Sequence, residues 1–141
     1  MPDETIIEDS AVILRRIPPP LDDDTKTTPD GLWRPNSQWF QKRKPEDTGI
    51  SCSQFSITSP QALLDQLKSQ GMDTSGWGVC CVAVSAVRGL GLEVVHKPEG
   101  EDAGHCEIQG EMKRKTPKKI ARLAIMLSPD EIAAGTHPSL D

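Results

Sequence analysis

Tyrosine is missing from this chain, and its five aromatic residues, three Trp and two Phe, make up only 4 % of the 141 positions. It therefore has few of the large side chains that dominate cores and interfaces. The hydrophobic share, 35 %, is also below the usual range for a wholly compact globule. Part of the chain should lie outside the core. About 80 to 90 residues are left to build one, enough for a single small domain of modest stability.

No apolar run approaches the roughly 18 to 20 residues of a membrane-spanning helix. The first ten residues, MPDETIIEDS, are acidic, whereas a secretory signal needs a basic start and a longer apolar stretch. Residence in the cytoplasm, without a membrane partner, is the expectation. Paired metal-ligand spacing is absent too. The cysteines stand at 52, 80, 81 and 106 and the histidines at 96, 105 and 137, so neither C-x2-4-C nor H-x3-5-H occurs. Adjacent Cys80 and Cys81 cannot readily bridge each other, and reduced thiols packed as small hydrophobes are expected. No nucleophile elbow is present, and RGLGLE at 88–93 lacks the Lys-Ser/Thr ending of a phosphate loop. Nothing in the sequence requires a cofactor or a metal.

Charge and chain-breaking residues are abundant and uneven. The first thirty residues hold eight acids against three bases, enough to account for the whole net charge of −5. Residues 1–10 read as a disordered acidic tail, residues 11–136 as one domain, and residues 137–141 as a frayed end. Within the domain, AVILRRI at 11–17 is a strand or an extended arm. The Pro- and Asp-rich stretch 18–31 breaks regular structure. LWRPNSQWFQKRKPEDTG is a loop whose aromatics pin it to the core. ISCSQFSI at 50–57 is a strand. SPQALLDQLKSQG gives a helix with Ser59 as cap, Pro60 first, Gly71 as its stop, and Leu63, Leu64 and Leu67 on one face.

The apolar run WGVCCVAVSAVRGLGLEVVHKP admits two readings. Alternation and β-branched content favour a strand over 78–85, a tight turn, and a strand over 91–96. Helical spacing of Val79, Val82, Ala83, Ala86, Val87 and Leu90 favours a helix over 79–90. HCEIQG is a third strand in which Cys106 and Ile108 face the core and His105 and Glu107 face outward. A helix follows over 117–127, capped by Thr116, with Ile120, Leu123, Ala124 and Leu127 as its core face. SPDEIAAG restarts a short helix with a Ser128–Glu131 capping box. The expected fold is α+β: three to five mainly antiparallel strands packed by two helices, preceded by an acidic disordered arm.

The second half, from WGVCCVAVSAVRGLGLEVVHKP through GHCEI to TPKKIARLA, resembles a small, uncharacterised family of bacterial proteins. The shared features are a Gly-Val strand, an Arg-x-Leu-Gly-Leu turn, a His-containing strand and a basic helix. The resemblance spans about half of the chain and brings no activity, cofactor or partner with it.

Two function classes follow. Lys113, Arg114, Lys115, Lys118, Lys119 and Arg122 crowd six cations around a helix start, where they oppose one another and the macrodipole. That placement points to a contact with an anionic partner. The leading expectation is a non-enzymatic interaction or accessory protein that binds a protein or another anionic macromolecule through this helix. Nucleic acid is the less supported partner, because the chain is acidic overall and no stacking aromatic is near in sequence. The alternative is a small transferase or hydrolase acting on a nucleotide or nucleic acid. It would gather Arg15 or Arg16, a histidine and an acid such as Glu107 in one cleft. A Cys–His pair from Cys52 with His96 or His105 is a further candidate.

Overall fold

The computed structural model describes residues 7–18, 25–27, 33–35, 40, 49–98, 102–138 and 140. Its centre is β1 (Val12–Ile17), whose β-branched sequence VILRRI suits a strand with neighbours on both sides. β4 (Ile50–Gln54) and β5 (Gly78–Ala83) flank it. β7 (His105–Gln109) and β6 (Glu93–His96) extend the sheet one way, and the two-residue β8 (Ile125–Met126) closes it the other. The spatial order is β6-β7-β4-β1-β5-β8, and every pairing is antiparallel. A separate ribbon joins β2 (Thr25–Thr27) to β3 (Trp33–Pro35).

Helices cover both faces. On one, α2 (Val84–Arg88) and α3 (Thr116–Leu123) bring Val84, Val87, Ile120 and Ala121 onto Ile13, Ile17, Ile50, Val82 and Ile108. On the other, α1 (Pro60–Ser69) and α4 (Pro129–Ala134) set Leu63, Leu67 and Ile132 against Leu14, Val79 and Cys81. Alternation along each strand supplies both layers, because neighbouring residues point to opposite faces. Truncating a buried anchor such as Leu67 to Ala would cost about 2–5 kcal/mol, through lost transfer energy and the cavity left behind.

Helix ends follow local chemistry. Ser59 Oγ accepts from Ala62 N at 3.1 Å, and Pro60 occupies the first turn. Ser128 and Glu131 satisfy each other's backbone N–H groups in a capping box. That helix stops at Gly135, whose φ of 72° is left-handed and favours a residue without Cβ.

The fold is α+β and mainly antiparallel, as expected, but the described residues form six strands in the main sheet and four helices where three to five strands and two helices were expected. The ambiguous apolar run is divided between its two readings. Residues 78–83 are strand and residues 84–88 are helix, with the second strand starting at 93. The helix expected over 117–127 ends at Leu123, and Ile125–Met126 pair instead with Cys81 and Cys80. The open edge of β5 is better served by two ladder residues than by one more helical turn. Thr116 starts α3 rather than capping it, and its Oγ1 accepts from Lys113 N at 3.0 Å.

The acidic tail expected over 1–10 is anchored at its end. Ile7 is buried in the core, Ser85 N donates to Asp9 O, and Asp9 pairs with Arg88 at 2.5 Å. Residues 1–6 lie outside the described residues, as do 19–24 and 28–31 of the Pro/Asp-rich loop and 32, 36–39 and 41–48 of the aromatic one; Thr25–Thr27 and Trp33–Pro35, expected in those loops, are instead the paired strands of the ribbon. Phe40 is fully buried, as expected of an aromatic pin. At the other end His137 packs edge-on against Phe55 at 4.7 Å, and Leu140 packs on the second core layer.

Candidate functional site

Three places gather chemically able side chains. The first is a row across the face of the sheet that carries α2 and α3. Register sets Met126 opposite Cys80, Cys80 opposite Arg15, Cys52 opposite Cys106, and Cys106 opposite His96. Continuing the β1–β4 register from Leu14–Ser53 sets Arg15 opposite Cys52. Thus three thiols, a guanidinium and an imidazole share one line through all six strands. The thiols are buried. Burial pushes the Cys52 thiol up to about 11, with the Arg15 charge opposing that rise and Glu107 adding to it. On the opposite face, burial takes Cys81 up to about 12, and it raises Cys80 and Cys106 as well. All four are free thiols, and a nucleophilic cysteine needs the opposite shift. Among the described residues no three His, Cys, Asp or Glu side chains are placed to hold a metal ion.

The second place is the start of β7. Asp102 is buried and accepts from Ser53 Oγ, from Thr58 Oγ1 at 2.6 Å and from Gly104 N at 3.0 Å. Gly104 is required there, since a Cβ would come within 2.6 Å of Thr58 Oγ1. His105 faces away from Cys106, as alternation demands, yet it is only 9 % exposed, and its Nδ1 lies 2.8 Å from Lys97 O. Glu107 pairs with Lys97 Nζ at 3.5 Å and accepts from Gln109 Nε2 at 3.1 Å. The outward face of HCEIQ is thus occupied by its own polar network, a correction to the expectation that His105 stands in solvent. Arg15 and Arg16 lie on opposite faces, donating to Ser51 O at 2.5 Å and to Leu63 O at 3.2 Å.

The third place is α3 and the turn before it. Ile120, Ala121 and Pro117 are buried, while Lys113, Arg114, Lys115, Lys118, Lys119 and Arg122 are all exposed. Among the described residues none of the six has an ion-pair partner. Lys115, Lys118, Lys119 and Arg122 stand at i, i+3, i+4 and i+7, one stripe of a helix. They make four like-charged neighbour pairs, each unfavourable by about 0.2–0.5 kcal/mol. No side chain caps the helix start, and its first turn holds no acid. A cleft of about 240 Å³ opens beside it, lined by Leu90, Gly91, Glu111, Lys113, Thr116 and Lys119.

The sequence identified these six cations directly, because a dense run of one charge is legible without a fold. It did not reveal the cysteine row, since thiols far apart in the chain meet only through strand register. It also missed the Asp102 knot, since one Asp in an acidic turn carries no distinguishing pattern. Compared with protein-family models, curated proteins and solved structures, the chain matches none.

Proposed function

We propose that the chain is a small interaction or accessory protein that binds an anionic macromolecule through the basic stripe of α3. The observation that carries this reading is the contrast in partnering. Arg88 is matched by Asp9 and Glu93 and Lys97 by Glu107, whereas the six cations of 113–122 are exposed without an ion-pair partner among the described residues. Mutual repulsion and, for the cations at the helix start, an opposed helix dipole make that arrangement unfavourable for the isolated chain, while Arg122 stands in the last turn, where the dipole favours it. An anion laid along the stripe would relieve both. The apolar side of α3 is committed to the core, so the basic side is presented on a fixed scaffold. No helix among the described residues is long and apolar enough to cross a membrane, and the reading needs none.

The test compares the native chain with Lys115→Glu/Lys118→Glu/Arg122→Glu as immobilised baits in host extract. Partners should be captured by the native chain, weaken as salt rises from about 50 to 200 mM, and be lost in the reversed variant while circular dichroism stays unchanged. An identical partner set on both baits would refute the role of α3.

A further inference from the structure

We infer that the macromolecule taken by α3 is a nucleic acid, held through its phosphate backbone without base recognition. This rests on α3 being the contact surface and adds the class of partner. Three observations favour phosphate over an acidic protein.

The first is the composition of the patch. Stable protein interfaces centre on desolvated aromatic, Met or Arg anchors, and lysine is depleted from them. The six-residue patch has four Lys and two Arg and no apolar anchor. The exposed large hydrophobics among the described residues are Ile57 and Met72, which follow β4 and α1 rather than flanking α3. A surface that tracks a phosphate backbone has the opposite character, with mobile exposed cations on a rigid support.

The second is density and reach. Between Met112 and Pro129 there are six cations and no carboxylate. The stripe from Lys115 to Arg122 runs about 10 Å along the helix at 1.5 Å per residue. A polyphosphate backbone offers charge at matching density along its whole length. Glu111 on the cleft wall would repel a phosphate there, so the track follows the stripe and does not enter the cleft. The net charge of −5 is accounted for by the first thirty residues, and residues 113–128 by themselves carry only positive charge.

The third comes from the fold. The backbone of β3 lies against α3, and Lys26 and Arg34 are register partners in the β2–β3 ribbon. Two more cation positions, distant in sequence, are thereby set on an element beside the basic helix.

The test is fluorescence anisotropy with the full chain. The probes are a labelled duplex DNA of about 20 base pairs, a single strand of equal length and a glutamate-rich peptide of similar net charge. Both nucleic acids should bind in the ~10⁻⁴–10⁻⁶ M range regardless of base sequence, with a salt slope steeper than about −2. The triple reversal on α3 should weaken binding more than about tenfold and flatten that slope by about 2 to 3, and Lys26→Glu/Arg34→Glu by about 1 to 2. Lys68→Glu, at the end of α1, should change nothing. Should the reversal unfold the chain, Gln at the same three positions carries the comparison. Peptide binding without nucleic-acid binding overturns this inference and leaves α3 as the contact surface. Binding of no probe, or nucleic-acid binding unaffected by the α3 variants, overturns it as well, and the latter also removes α3 as the site.

Discussion

β7 and α3 are separated by six residues, and they use their polar side chains in opposite ways. In β7 every polar group with chemistry to offer is matched internally. His105 meets Lys97 O, Glu107 meets Lys97 and Gln109, and Asp102 just ahead of the strand takes three donors. In α3 and the turn before it the six cations pair with no carboxylate among the described residues. The difference separates a segment that stabilises the fold from one whose charges make sense only with something outside it. A histidine, a cysteine and a glutamate in a row look like a site on paper, while a lysine run looks like a solvated face. Partnering, which neither run reveals on its own, reverses that impression.

Substituting Asp102 is the strongest way to test the contrast. Asp102→Ala strands two hydroxyls and a backbone N–H in a buried setting and should cost about 3–4 kcal/mol. Asp102→Asn, which keeps acceptor capacity, should lose less. Urea unfolding measures both, and a loss under about 1 kcal/mol for the alanine variant would show that the knot is not structural.

Next in size is alkaline pH. The buried Cys52 thiol titrates near 11 when folded and near 9 when unfolded. Between those values the unfolded chain has released a proton that the folded chain still holds. Stability from this group is therefore complete below about pH 9 and falls by roughly 1.4 kcal/mol per pH unit up to about pH 11. Cys52→Ala should flatten part of that decline, measured as the thermal midpoint from pH 8 to 11. Equal slopes in the two proteins would contradict the burial argument.

A smaller pair of effects compares the two faces of β7. Cys106→Ser places a hydroxyl where the side chain is fully buried and should cost about 1–2 kcal/mol. His105→Ala removes the contact with Lys97 O and some packing, for about 1 kcal/mol. Sequence alternation assigned the faces correctly but treated the second one as solvent. It is nearly closed there because Lys97, across the hairpin, returns its carbonyl to His105. A silent His105→Ala in chemical denaturation would restore the simpler view.

The smallest effect has the opposite sign. Lys115→Glu removes two like-charge contacts and places an anion at the start of α3, so it should stabilise the chain by about 0.3–1 kcal/mol. The same variant should weaken binding by the stripe. Destabilisation would mean that Lys115 already has a favourable partner.

Local chemistry was legible wherever a residue acts on its own neighbours. Ser59 with Pro60, the Ser128–Glu131 box, Gly71 and Gly135 mark helix ends because caps and left-handed turns involve only a few adjacent positions. The alternation of β7 and the cation run of α3 were legible for the same reason. The length of α3 was not, because Ile125 and Met126 leave the helix to complete the edge of β5, a strand some forty residues earlier. The division of 78–88 into strand and helix was likewise undetermined, since Val, Ala and Cys fit both periods and the ladder with β1 decides where one stops.

By itself, then, the sequence determined an α+β chain with an acidic start, caps at two helices, thiols bound for the core and a basic stripe facing out. Only the tertiary structure decided that Arg15, Cys52, Cys80, Cys106 and His96 share one row, that Asp102 ties β4 to β7, and that the β2–β3 ribbon lies beside α3. Each of these depends on register and packing between segments tens of residues apart. Periodicity assigns a residue to a face, but it does not say which residue of another strand will stand opposite.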